Sequence, residues 1–174
     1  SKSIVHWDRK VPLPATLTGA HIDYNTGMLR LAASKTLLLV SANGAPINMS
    51  KVFLSNVHGQ NSMPLTGAMT ANTAENSAEI TIMLTEAQRV AAIAISNTPG
   101  GGGGANTPGD GTPIFIDVLD NAFQDIHTMA ITATLASHPS IGLVATETAD
   151  TTPPIVLSAA LDLNTGKLTV LCSE

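Results

Sequence analysis

The stretch from His21 to Leu31, HIDYNTGMLRL, returns near the other end of the chain as ALDLNTGKLTV, from Ala160 to Val170. Asn25 and Asn164 lie 139 positions apart (164 − 25), and the same offset superposes Pro14 on Pro153, Ala20 on Ala159, Asp23 on Asp162, Thr26 on Thr165, Gly27 on Gly166, Leu29 on Leu168 and Ser34 on Ser173. A period of this length is far above that of solenoid repeats, so each copy must be a whole globular unit. The chain of 174 residues therefore divides into a lead-in over residues 1–13, one complete unit from Pro14 to Thr152, and the opening of a second unit over residues 153–174.

The repeated phrase reads as a β-hairpin. Apolar residues alternate at Ile22 and Tyr24, then at Leu29 and Leu31, and again at Leu161 and Leu163, then Leu168 and Val170. Between the arms, Asn25-Thr26-Gly27 and Asn164-Thr165-Gly166 supply a turn whose last residue needs positive φ, which glycine adopts without steric cost. Asp-x-Asn-x-Gly also opens calcium loops of the EF-hand kind, but those need further acidic ligands and a closing Glu. Neither Met28 to Thr36 nor Lys167 to Ser173 supplies them, so the plain hairpin is the reading carried forward.

Within the unit, KTLLLVSA and INMSKVFLSN read as strands, and SAEITIMLT alternates through Ile80, Ile82 and Leu84. A single helix is expected over LTEAQRVAAIAI, with Thr85 as N-cap, Gln88 completing a capping box, and Val90, Ala91, Ile93 and Ala94 on the apolar face. Residues 96–113 carry a polyglycine run between two Asn-Thr-Pro-Gly steps. No Gly-Lys-Ser/Thr follows the glycines, so a loop rather than a phosphate cradle is expected. Strand signals resume at IFIDV, HTMAITATLA and IGLVATET, and ADTTPP closes the unit as an interdomain junction would. Many short strands with one helix predict a mostly β fold, an antiparallel β-sandwich.

Charge and composition narrow the partners. Lys and Arg total 8 against 13 Asp and Glu and form no basic stripe, which argues against nucleic acid. No run reaches the apolar length of a membrane span. Five scattered His residues lack metal-ligand spacing, and no Gly-x-Ser-x-Gly elbow is present, so no metal, cofactor or catalytic residue is assigned and a non-catalytic role is expected. Aromatic residues make up only 3% of the chain, which weakens the alternative of a carbohydrate-binding module, since sugar sites lean on aromatic platforms. Asn48-Met49-Ser50 is an N-glycosylation sequon, making Asn48 the candidate for attached glycan. Cys172, the sole cysteine, excludes an internal disulfide.

The segment TADTTPPIVLSAALDLNTGKLTVLCSE resembles the opening of Ig-like repeats in long cell-surface proteins of the bacterial Ig-like and S-layer type, also found in algal and protist surface proteins. The likeness continues through INMSKVFLSN, ITIMLTEAQRVAAIA and IFIDVLDNAFQDIHTMAI, and covers nearly all of Pro14 to Glu174. Cys172 stands where an aromatic is usual, and SKTLLL replaces an acidic stretch in the first copy. The resemblance implies an Ig-like β-sandwich acting outside the cell as a spacer, filament subunit or adhesive segment. Its expected partners are neighbouring copies of itself, in tandem or by strand addition.

Overall fold

The computed structural model describes residues 13–39, 47–55, 63–71, 75–96, 113–131 and 143–173. The elements are β1 (Leu17–Asp23), β2 (Met28–Leu37), a 3-10 turn (Met49–Lys51), β3 (Val52–Ser55), β4 (Met63–Pro64), β5 (Met69–Thr70), β6 (Ser77–Met83), α1 (Glu86–Ser96), β7 (Phe115–Val118), β8 (Leu143–Thr148), β9 (Val156–Asp162) and β10 (Lys167–Cys172). The fold is mostly β and sandwich-like, with one α-helix among the described residues.

The first eight strands follow the order β4-β3-β7-β8-β1-β2-β6-β5. β8 joins the two layers. Its first residues, Leu143 and Val144, pair with Ile116 and Phe115 of β7, whereas Ala145 to Thr148 pair with Ala20 to Asp23 of β1. The β1–β8 pairing is parallel and all the others are antiparallel, so the sheet is mixed rather than purely antiparallel. Parallel neighbours cannot be joined by a tight turn. Here the whole unit intervenes between the first strand and the last.

The inward faces of both layers meet in one aliphatic cluster. Ile22, Leu29, Leu31, Ile80 and Ile82 come from the β1–β2–β6 side, and Val52, Leu54, Ile116 and Val118 from the β3–β7 side. In each strand the inward residues are two apart, the spacing that a pleated strand imposes. The expected strand over SAEITIMLT is β6, and IFIDV contains β7. KTLLLVSA is not a strand of its own: Lys35 to Leu37 extend β2 past an irregularity in its register with β6, between Ala32 and Leu37. From HTMAITATLA, the described part is turn and isolated bridge rather than strand, with Asp125 Oδ1 accepting from the N–H groups of His127 and Met129. The polyglycine run expected as a loop, and residues 1–12 of the lead-in, lie outside the described residues.

The helix starts as its sequence dictates. Gln88 Oε1 accepts from the Thr85 N–H at 3.0 Å, and Thr85 Oγ1 accepts from the Gln88 N–H at 3.3 Å, closing the capping box. Of the expected apolar face, Ile93 packs against the core and Ala91 and Ala94 are half-buried, but Val90 is exposed, and the fully buried positions are Gln88, Arg89, Ala92 and Ser96. Polar side chains turn inward because each finds a partner. Gln88 Nε2, for example, donates to the Pro64 and Thr66 carbonyls at 3.1 and 3.0 Å.

β9 and β10 form a separate two-stranded sheet whose described residues are all exposed. Its geometry copies β1–β2 at the offset of 139. Asp162 pairs with Lys167 as Asp23 does with Met28, and Leu161 with Leu168 as Ile22 does with Leu29. The register shift between Leu17 and Gly19 also recurs, since Val156 and Ser158 oppose Cys172 and Leu171 as Leu17 and Gly19 oppose Ala33 and Ala32. The strand ends close alike: Ser34 N–H donates to the Thr16 carbonyl at 2.8 Å, and Ser173 N–H to the Ile155 carbonyl at 2.9 Å.

Candidate functional site

The two hairpin turns are built alike but have different surroundings. Asp23 Oδ1 accepts from the Asn25 N–H at 2.9 Å, and Asp162 Oδ1 accepts from the Asn164 N–H at 2.9 Å. Gly27 and Gly166 both sit at φ 66°, the left-handed region expected for them. The hydroxyl of Thr165 and the Asn164 N–H hold the Asp162 carboxyl below its ordinary value. With these bonds, the acidic residues of the Asp-x-Asn-x-Gly phrase organise their own turns.

In the first copy the turn is the centre of a polar network that binds four parts of the unit. Tyr24 is wholly buried, and its hydroxyl donates to Glu147 Oε1 at 2.7 Å, while Ser96 Oγ at the end of α1 donates to Glu147 Oε2 at 2.9 Å. Burial, and then the hydrogen bond and charge of Glu147, push the Tyr24 phenol well above its ordinary value. Arg89 donates to the Tyr24 carbonyl at 2.9 Å, to both oxygens of Glu86 at 2.8 Å, and to Asp150 Oδ2. The Glu86 hydrogen bonds, with the partnership of Asp150, raise the Arg89 guanidinium further above its already high value, and Arg89 in turn holds Glu86 low.

Asn25 completes the network. Its Nδ2 donates to the Ala149 carbonyl at 2.8 Å, and its Oδ1 accepts from the Thr151 N–H at 2.8 Å and from the Thr151 and Thr152 hydroxyls at 3.2 Å. One turn side chain thus grips the segment by which the chain leaves the unit. Asn164 occupies the same turn position with its side-chain amide hydrogen-bonded to none of the described residues. Sequence reasoning placed Asn25 and Gly27 in the turn but not Arg89, Glu86, Asp150 and Glu147 around it. The available signal was the spacing of Glu86 and Arg89, an acid and a base three residues apart at the start of the helix.

The remaining candidate residue, Asn48, is exposed at the start of the 3-10 turn. Its Oδ1 accepts from the Ser50 N–H at 3.1 Å and the Ser50 hydroxyl at 2.6 Å, leaving Nδ2 at the surface. On the outer face of β1–β2–β6 lies an open depression of about 320 Å³ floored by Gly19, Ala20 and Ala32 and edged by His21, Arg30 and Glu79. No aromatic residue lines it. Tyr24, Phe115 and Phe123 are buried and Phe53 on β3 is half-buried, so among the described residues no aromatic ring stands fully exposed as a platform for a sugar. Nor do the described residues contain a cluster of three or more His, Cys, Asp or Glu able to hold a metal ion, or a helix long and apolar enough to cross a membrane.

Compared with known protein families, curated proteins and solved structures, the chain matches none.

Proposed function

We propose that the chain is a segment of a tandem array of Ig-like β-sandwich units, serving as a non-catalytic structural spacer, filament subunit or adhesive stretch of an extracellular or cell-surface protein. One observation carries the reading. The hairpin β9–β10 repeats the register, bulge, turn and end-closing bonds of β1–β2, yet presents to solvent the positions that β1–β2 buries. Ile22, Leu29 and Leu31 are 0% exposed, whereas their equivalents Leu161, Leu168 and Val170 are 58%, 61% and 48% exposed. A lone hairpin is marginal in water, and a sheet face of this kind belongs against a core. The core with the matching shape is the remainder of a second unit.

Strand order supports the Ig-like part of the proposal. β1, β2, β6 and β5 follow one another on one side of β8, and β7, β3 and β4 on its other side. An immunoglobulin sandwich likewise places its first, second, fifth and fourth strands in one sheet and its third, sixth and seventh in the other. The array reading is tested by joining Ser173 to a second copy of residues 35–152, so that both hairpins have a full unit. Two units of equal stability should double the calorimetric unfolding enthalpy per molecule, and proteins of two and three units should lengthen in equal steps by small-angle scattering. An enthalpy unchanged from the single unit rejects the reading.

A further inference from the structure

Resting on the array reading, we infer that the turn asparagine of each unit is a clasp for that unit's own exit segment, and that the clasp sets the direction in which the next unit departs. Seven residues (149–155) separate Thr148, the end of β8, from Val156, the start of β9, and the first half of that span is held. Asn25 binds both sides of the backbone, at the Ala149 carbonyl and the Thr151 N–H. Asp150, between them, turns the other way to Arg89, and its Oδ1 accepts from the Thr152 N–H at 3.0 Å. Pro153 and Pro154 follow at once, fixing φ where the side-chain bonds stop. No residue from Ala149 to Pro154 is thus free of a bond or a ring constraint.

The chemistry of the clasp is specific to its occupant. A primary amide offers a donor and an acceptor on one planar group, which matches the C=O and N–H that an extended backbone presents two residues apart. The two threonines add hydroxyl donors to the same oxygen. Arg89 is held in place by Glu86 and the Tyr24 carbonyl before it meets Asp150, so the second anchor is preorganised. At Asn164 the same amide stands on the same turn, in the position from which it would hold the exit segment of the unit it opens. Such a clasp makes the angle between units a property of the fold rather than of a slack linker.

The test uses the full chain as it stands, so it does not depend on whether β9–β10 opens a second unit. Nitroxide labels are placed on the native Cys172, which is exposed in β10, and on an Ala78→Cys variant in β6, also exposed. The expected result is one narrow distance distribution between the labels, broadening at least twofold in Asn25→Ala. Hydrogen exchange at the Thr151 amide should speed up by about tenfold in the same variant, while that at Leu29 stays unchanged, showing that the unit is still folded. Asn25→Asp, which keeps the accepting oxygen, should retain most of the Thr151 protection. A broad distribution in the unsubstituted chain, or one that stays narrow in Asn25→Ala, overturns the inference. A failed enthalpy doubling in the two-unit protein would overturn the array reading and leave the clasp standing.

Discussion

Replacing Leu29 and Leu168 by alanine, one at a time, separates a residue that holds the core from its copy that does not. The two share a strand position, a cross-strand neighbour of the same type (Ile22 and Leu161) and a turn two residues away. Only their surroundings differ: Leu29 is wholly buried between β1 and β6, opposite Ile22 and Ile82, and Leu168 is 61% exposed. Truncating a buried leucine removes its transfer free energy and leaves a cavity, which together cost about 3 kcal/mol, while an exposed substitution stays within roughly 0.5 kcal/mol. For a unit of this size that difference is a fall in Tm of about 10 °C for Leu29→Ala and less than about 2 °C for Leu168→Ala. Thermal unfolding followed by circular dichroism at one protein concentration measures both. If Leu168→Ala lowers Tm by more than half the Leu29→Ala value, the hairpin packs on something within this chain and the account of an uncovered face fails.

Other perturbations test the polar network and the surface. Arg89→Ala leaves buried Asp150 without its cation and should cost about 3 kcal/mol in urea unfolding at neutral pH; a change under about 0.5 kcal/mol would show the pair to be ornamental. Glu86 is held low by Arg89, so its stabilising share is complete above the ordinary carboxylate range and is lost as pH falls through its lower folded value; Glu86→Gln should flatten that part of the acid limb. Tyr24, the only tyrosine, has a raised phenol, so its contribution is complete below about pH 10 and is lost as pH rises. Tyrosinate absorbance should therefore appear together with alkaline unfolding, and an earlier ionisation in the folded chain would contradict its burial. Thr128 sits at φ 62°, where a β-branched residue is strained, and Thr128→Gly should raise stability by roughly 1 kcal/mol in the same urea titration. Expressed through a eukaryotic secretory route, the chain should carry glycan at Asn48 that Ser50→Ala removes, read as intact mass.

What was legible in the sequence is what local chemistry decides. The turns at Asn25 and Asn164 are written in Asn-Thr-Gly, because only a glycine takes φ 66° without penalty, and the helix start is written in Thr85 and Gln88, whose side chains close on each other. β6 alternates because one of its faces is buried. What stayed hidden depends on residues far apart in the chain. The parallel pairing of β1 with β8 joins Ala20 to Ala145, and no local pattern encodes a partner at that distance. The buried polar side of α1 stayed hidden for the same reason, since Arg89 is a surface residue by type and is buried here only because Asp150 and the Tyr24 carbonyl meet it. The clasp is hidden in the same way: Asn25 is a turn residue by its neighbours and a grip on the exit segment by its fold.

The central claim is that β9–β10 is the first hairpin of another unit, and amide hydrogen exchange on the two-unit protein, with Ser173 joined to residues 35–152, tests it most directly. In the present chain the amides of Leu161, Leu168 and Val170 should exchange far faster than those of Ile22, Leu29 and Leu31. In the two-unit protein the account predicts that the two sets become equally protected, pair by pair. If Leu161, Leu168 and Val170 remain as fast as before while the first set keeps its protection, the hairpin does not open a second unit.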